Sequence, residues 1–415
     1  MKNKYVITFA TEFIVLISSL LAYKLAAIVL GNTGFSEYAL SRRILSFVQP
    51  VILMGLTVGI PRYMGYHSTA SGEKGDFYFI GGAAITFLAV LISIPILVLF
   101  KKEMSFFFFA SSDYSHFIFP INLLLIGTIG HLLCYSYFRG RLSMLKANLL
   151  QTINIAILPL AVFAFSKDTV NILVLLGGGR CIITLVFLYI IFRQLIVPGL
   201  RKHIVSHSKE LLRYSIPRVP GDFGWAALLS LVAFFTAHSA GVTEAGTVAF
   251  GISLLVAGGS LLSPIGIVLL PHASRMVAKL EMAELRVFVG KILLISASLA
   301  FLGVIIFELF GGTIIELYLG HGFGGMTLTL KILALASIPY AIFVTMVNII
   351  DSFYIKAMNT KNILISLSFL LLCGGLTTMI GGRYFYIVIE FVSAFAILGL
   401  LTLIDVKRIF AHRSV

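Results

Sequence analysis

Six cations lie inside stretches of this chain that are otherwise apolar: Lys24, Arg42, Arg43, Arg180, Arg218 and Lys331. A cation at bilayer depth is costly unless it meets a carboxylate, backbone carbonyls or a bound anion. Arginine adds a planar fork of donors that grips carboxylate or phosphate through two parallel hydrogen bonds. The chemistry on offer is therefore anion binding away from water. Arg42, Ser46 and Gln49 share one helical face. Arg42 and Arg43 are adjacent, so both cannot run to the surface along one face, and at least one turns toward the interior. Arg180 follows Gly177-Gly178-Gly179 near the middle of its apolar stretch. No Gly-x-x-x-x-Gly-Lys pattern exists, so this is no phosphate loop; the glycines permit a bend or a close neighbouring helix.

Well-buried acids are fewer. Glu12 shares a helical face with Ser19 and Tyr23, while Lys24 lies well off it. Glu12 is either an exchangeable-ion site or half of a pair that positions helices. The run Pro217-Arg218-Val-Pro220-Gly221-Asp222-Phe-Gly224-Trp225 holds two prolines and two glycines, which free carbonyls and bend a helix. Arg218 and Asp222 are four apart and able to pair, with Trp225 continuing the face; an Arg snorkelling from an ordinary helix start is the plain alternative. Glu12, Asp222, Pro217, Pro220 and Trp225 are thus the candidates for gating or for coupling to H+ or Na+. His203 and His207 are spaced for a metal but have no third ligand, and Cys134, Cys181 and Cys373 are scattered. Neither a metal nor another cofactor is expected. No loop gathers a catalytic set, so no enzyme is expected.

The elements that position these residues are membrane helices. A mean hydropathy of +1.04 with 59% hydrophobic residues excludes a water-soluble globular protein. Twelve apolar segments, near 6–30, 37–60, 77–100, 116–137, 148–166, 170–192, 215–238, 244–270, 289–311, 327–350, 362–381 and 384–404, are each about the length of a bilayer crossing. With the N-terminus cytoplasmic, outer loops hold only Lys101, Lys102, Lys167 and Arg383 of the 31 Lys and Arg residues. That asymmetry puts both termini inside. The net charge of +14 then faces anionic membrane lipid, and no nucleic-acid partner follows from it. The longest inner stretch carries Val197, Leu200, Ile204 and Leu211 on one face, the pattern of a helix lying at the inner leaflet. It divides the chain into a six-helix lobe at 1–192, a linker at 193–214 and a second six-helix lobe at 215–415. Span two starts with Ser36-Glu37 and ends at Ile60-Pro61; span eight starts with Thr243-Glu244 and ends at Leu270-Pro271. Such matches suggest parallel repeats around a central cavity, a common transporter plan. The fold class expected is all-α integral membrane.

Five stretches carry a family resemblance. They are Gly34-Phe-Ser-Glu-Tyr-Ala-Leu-Ser-Arg-Arg-Ile-Leu-Ser-Phe, Gly59-Ile-Pro-Arg-Tyr, Tyr135-Ser-Tyr-Phe-Arg-Gly-Arg, Tyr214-Ser-Ile-Pro-Arg-Val-Pro-Gly-Asp-Phe and Glu244-Ala-Gly-Thr-Val-Ala-Phe-Gly. Together they resemble bacterial polysaccharide (O-antigen) flippases, the polysaccharide transporter family of the multidrug/oligosaccharidyl-lipid/polysaccharide exporter superfamily. The resemblance implies two lobes working by alternating access in the bacterial inner membrane. It also implies transport of undecaprenyl-pyrophosphate-linked oligosaccharide through a cationic lumen. By residue type and span, Arg42, Arg43, Arg180 and Arg218 fit that lumen, and Lys24 and Gln49 join them as candidates. A multidrug cation antiporter of the same superfamily is the alternative, although it would want carboxylates where this chain has arginines. A membrane enzyme of polysaccharide assembly ranks below both.

Overall fold

A computed structural model describes residues 2–67, 73–195, 200–278, 282–353 and 358–411. Nearly all of them are helical. The helices are α1 (Lys2–Leu53), α2 (Leu56–His67), α3 (Glu73–Leu99), α4 (Lys101–Phe109), α5 (Ile118–Gly140), α6 (Met144–Gln151), α7 (Leu158–Ala161), α8 (Thr169–Gln194), α9 (Leu200–Ser215) and α10 (Val219–Ala240), followed by α11 (Val242–Ala278), α12 (Met282–Leu319), α13 (Thr327–Ala334), α14 (Ser337–Phe353), α15 (Met358–Met379) and α16 (Tyr384–Ala411). Among the described residues, ten helical stretches are long and apolar enough to cross a bilayer, and a further pair, His321–Ala334 with Ser337–Val347, is bent by 47°. The first stretch runs 47 residues, from Ile7 to Leu53. At about 1.5 Å per residue it is over twice the ~30 Å hydrocarbon thickness. Gly31, at φ +67°, breaks it in two. That conformation is open to glycine and strained for other residues. The break brings the crossings to twelve, and the protein is a multi-pass, all-α membrane protein.

The chain forms two compact units, Met1–Phe223 and Gly224–Val415. In the first, α9 packs against α2 and α3. Leu211 is fully buried with Leu56, Ile60, Tyr78 and Phe79, and Tyr78 Oη donates to Glu210 Oε2 at 2.6 Å. The amphipathic helix expected at the inner leaflet therefore turns part of its apolar face to protein, leaving Val205 exposed. Val197 lies outside the described residues.

The pairing of α5 with α8 is the closest feature around the candidate residues. A Cβ on Gly127 would sit 3.1 Å from the Gly177 carbonyl oxygen, and one on Gly177 only 2.7 Å from the Leu124 backbone nitrogen. Without a hydrophobic force between helices in lipid, such small residues let backbones touch and gain dispersion contacts. Gly178 faces open space and Gly179 faces the Leu158 side chain. The glycine run thus serves close approach through Gly177.

In the second unit, Trp225 stacks with Phe343 and Tyr340 at ring-centroid distances of 5.0 and 5.7 Å and meets Phe395 edge-on. Lys331 donates to the Glu308 carbonyl at 2.5 Å. Thr377 donates to Glu390 at 2.6 Å.

Candidate functional site

Two of the expected cations come together. Arg42, on the second half of α1, and Arg180, on α8, both line a cavity of about 110 Å³ inside the first unit, with Ser19, Tyr38 and Ser46 beside them. No Asp or Glu lines it among the described residues.

Each arginine is held differently. The Arg42 guanidinium lies 5.0 Å from the Tyr23 ring centroid and 5.7 Å from that of Tyr38. The two rings meet edge-on, and both are buried. Ring faces attract the cation while leaving its charge in place. Arg180 is 7% exposed. Its Nη1 donates to Thr128 Oγ1 at 2.7 Å and its Nη2 to the Asn154 carbonyl at 3.4 Å, while its buried Nε finds no acceptor among the described residues.

The Asn154 carbonyl is available for a local reason. Residues Thr152–Ile157 form a π-helical turn, in which the Leu158 N–H bonds the Ile153 carbonyl. In that register the next donor, at position 159, would serve Asn154. Position 159 is proline and has no N–H. The freed oxygen turns to Arg180, and π turns of this kind recur at functional sites.

A polar chain leads away from Arg180. Asn154 Nδ2 lies 3.2 Å from His131 Nδ1, and His131 Nε2 lies 3.2 Å from Gln151 Oε1. The His131 ring stacks on Tyr135, and Arg139 sits 5.7 Å from the Tyr135 ring. Arg139 is also the cation that acts on Glu12, which is an exposed residue.

The remaining candidates lie elsewhere. Arg43 is buried but does not line the cavity, since neighbouring helix positions point about 100° apart. Lys24 and Gln49 are half-buried and also outside the lining. Arg218 is exposed, with its guanidinium 4.5 Å from the Tyr214 ring; Arg62 is also 4.5 Å from that ring and donates to the Tyr214 hydroxyl at 2.7 Å. Pro217, Pro220 and Asp222 are exposed beside it, and a short 3-10 turn at Ile216–Arg218 precedes α10. Trp225 belongs to the second unit's aromatic cluster. At the same end of the first unit as Arg62, Arg141 pairs with Asp76. Burial opposes the Arg141 charge, but Asp76 and Tyr137 outweigh it and hold the pKa above the ordinary guanidinium range.

Thr128, His131, Gln151 and Asn154 do not figure in the sequence reading. A signal for one of them was present: His131 is ionisable and sits inside the apolar segment 116–137.

Chemically, the site is a partly enclosed, positively charged hollow. The hydroxyl, carbonyl and ring contacts orient the guanidinium groups without neutralising them, and low polarity around them strengthens attraction to an anion. The volume matches a few waters at ~30 Å³ each, or one phosphate-sized group.

No protein-family model matches this chain, and no curated protein matches it. Solved structures do. A multidrug resistance MATE family transporter of the MOP superfamily, in an inward-facing conformation, is similar over 99% of both chains, with a TM-score of 0.74 and 11% identity. The eukaryotic MATE transporter AtDTX14 is similar over 98% of both chains at a TM-score of 0.67 and 15% identity. A MOP superfamily transporter from Pyrococcus furiosus covers 100% of this chain and 97% of its own, with a TM-score of 0.60 and 13% identity; its binding pocket is described as having reverse polarity that suggests a different function. The fold is the MATE-like fold of twelve membrane helices.

Proposed function

We propose that this protein is a flippase that moves lipid-linked pyrophosphate oligosaccharide across the bacterial inner membrane by alternating access, for polysaccharide assembly. One observation carries the reading: Arg42 and Arg180 share a cavity that no carboxylate lines among the described residues. A pyrophosphate offers several acceptor oxygens and multiple negative charges, which suits two guanidinium forks. The cavity volume of about 110 Å³ takes one phosphate-sized group and leaves the second phosphate, the sugar and the lipid tail outside it. The family resemblance in the sequence supports the same substrate class, with undecaprenyl as the lipid; H+ or Na+, exchanged at an acid such as Glu12 or Asp222, is the coupling ion of this reading. Both termini then face the cytoplasm, in keeping with the sparse cations of the outer loops.

The test is translocation of lipid-linked sugar by purified protein in liposomes. Arg42→Ala, Arg43→Ala and Arg180→Ala in one variant should abolish it. A triple variant that still unfolds at the parent temperature and translocates at the parent rate overturns the reading.

Multidrug cation antiport is the second reading, favoured by likeness to a MATE transporter described as a multidrug resistance protein. The cavity argues against it, because two arginines without an acid repel cationic drugs. The reversed pocket polarity described for the Pyrococcus furiosus transporter, with the different function it is said to suggest, is a precedent for a change of function on this fold. Drug-cation efflux by the reconstituted protein, with no lipid-linked sugar movement, would select the antiporter.

A further inference from the structure

The geometry points to His131 as a proton-binding site linked to the arginine cavity, with the Asn154 amide as the switch between them. The inference rests on the anion-binding reading and adds to it a coupling residue. His131 is 2% exposed and sits on α5 one turn beyond Thr128, the hydroxyl that holds Arg180. Its Nδ1 faces Asn154 Nδ2 and its Nε2 faces Gln151 Oε1, each at 3.2 Å. Both contacts are satisfied when Nδ1 is a bare acceptor and Nε2 carries the hydrogen, which is the neutral imidazole. Meanwhile Asn154 Oδ1 is buried with no hydrogen-bond partner. A lone buried carbonyl oxygen of this kind is costly to leave unmet.

Protonation places an N–H on Nδ1, so that donor meets donor at the Asn154 amide. Turning that amide by half a rotation brings the orphaned Oδ1 onto the new N–H. The proton thereby supplies a partner to Oδ1, while the amide nitrogen gives up its contacts with His131 Nδ1 and, at 3.5 Å, Thr184 Oγ1. The same residue's backbone carbonyl accepts from Arg180 Nη2 at 3.4 Å, so the switch sits directly against the cavity arginine.

The groups around His131 fix the direction of the linkage. From α8 comes Arg180; from the segment after α6 come Gln151 and Asn154; on α5 itself lie Tyr135 and Cys134, with Arg139 and then Glu12 of α1 beyond Tyr135. Tyr78 and Asp76 of α3 are engaged with Glu210 and Arg141. A protonated His131 therefore joins Arg180 and Arg42 as a third positive charge in a lobe interior where no carboxylate contacts the ring among the described residues. A bound anion relieves that repulsion. Proton and anion bind more tightly together than apart, and the coupling is reciprocal.

The experiment is calorimetric titration of the full-length protein in detergent with a short-chain prenyl diphosphoryl sugar, a diphosphate diester with no titrating group near neutral pH. Two buffers of different ionisation enthalpy report the protons taken up. The expected result is proton uptake on binding and affinity that rises as the pH is lowered below about 7.5. His131→Gln, checked by thermal unfolding, should lose both, and His131→Asn serves where that variant does not fold. Binding without proton uptake by the parent protein overturns the His131 inference and leaves the anion site standing. Uptake that persists in a folded His131 variant does the same. No binding at any pH overturns the anion reading itself, and this inference with it.

Discussion

The two units hollow out their interiors in opposite ways. The first holds a cavity of about 110 Å³ with two arginines, three hydroxyl-bearing side chains and, among the described residues, no acid. The second holds one of about 460 Å³ lined by glycine, leucine, alanine and phenylalanine, in which Ser337 and Tyr340 carry the hydroxyls. Glycines at 251, 258, 259 and 303 make the larger space by leaving side-chain volume out. The only cation near it among the expected six, Lys331, is tied to a backbone carbonyl. An apolar hollow is at ease dry or filled by hydrocarbon. A charged one is costly until something negative occupies it. Charge, not volume, is what the proposed anion site has and the larger apolar hollow lacks.

The largest effect should come from removing that charge. Arg42→Ala combined with Arg180→Ala is expected to weaken binding of the diphosphoryl probe by roughly two orders of magnitude, and Arg180→Ala alone by about tenfold, since hydrogen bonds to charged groups contribute ~1.5–3 kcal/mol each. Titration calorimetry measures both. Unchanged affinity would erase the contrast between the units.

Next comes the glycine seam that sets Arg180 in place. A Cβ at Gly127 would already meet Arg180 Cβ at 3.0 Å and the α8 backbone at 3.1 Å. Gly127→Leu should cost about 1–3 kcal/mol of stability through overpacking. Gly178→Leu, pointing into open space, should change the unfolding temperature far less. Equal shifts in a detergent melting curve would show that helix approach at Gly127 is not what positions the arginine.

Filling the second cavity tests the other side of the comparison. Gly303 has nothing within 4 Å of an added Cβ, so Gly303→Leu should fold and leave probe affinity within about twofold. A loss comparable with that of Arg180→Ala would move the site to the second unit. Smallest of all is Arg218→Gln. Its contact with Tyr214 is an exposed cation–ring pair of ~0.5–1 kcal/mol, away from the cavity lining. Probe affinity should stay the same within error in the same titration, and a tenfold drop would reinstate Arg218 beside Arg42.

Hydropathy and the positions of cations were legible along the chain because both are read one segment at a time. Residues 37–60 and 170–192 announced themselves as crossings, and Arg42 and Arg180 stood out within them as charges in the wrong solvent. The polar partners were less legible. Thr128, Gln151 and Asn154 are ordinary minority residues of membrane helices, and nothing in their spacing marks them out from Gln49 as the partners of Arg180 and His131. Arg218 looked equivalent to Arg180 in sequence, yet one is exposed on a tyrosine and the other is 7% exposed against a threonine and a carbonyl.

By itself the sequence determined a twelve-crossing membrane protein with more buried cations than buried acids, because transfer to lipid depends on composition within each crossing. Only the tertiary structure decided which cations meet. Arg42 and Arg180 lie far apart in the chain and share a cavity; Gly127 and Gly177 let α5 and α8 touch, and the carbonyl freed by Pro159, just after the π turn, holds Arg180. Those are distances between segments, and no local pattern of residues encodes them.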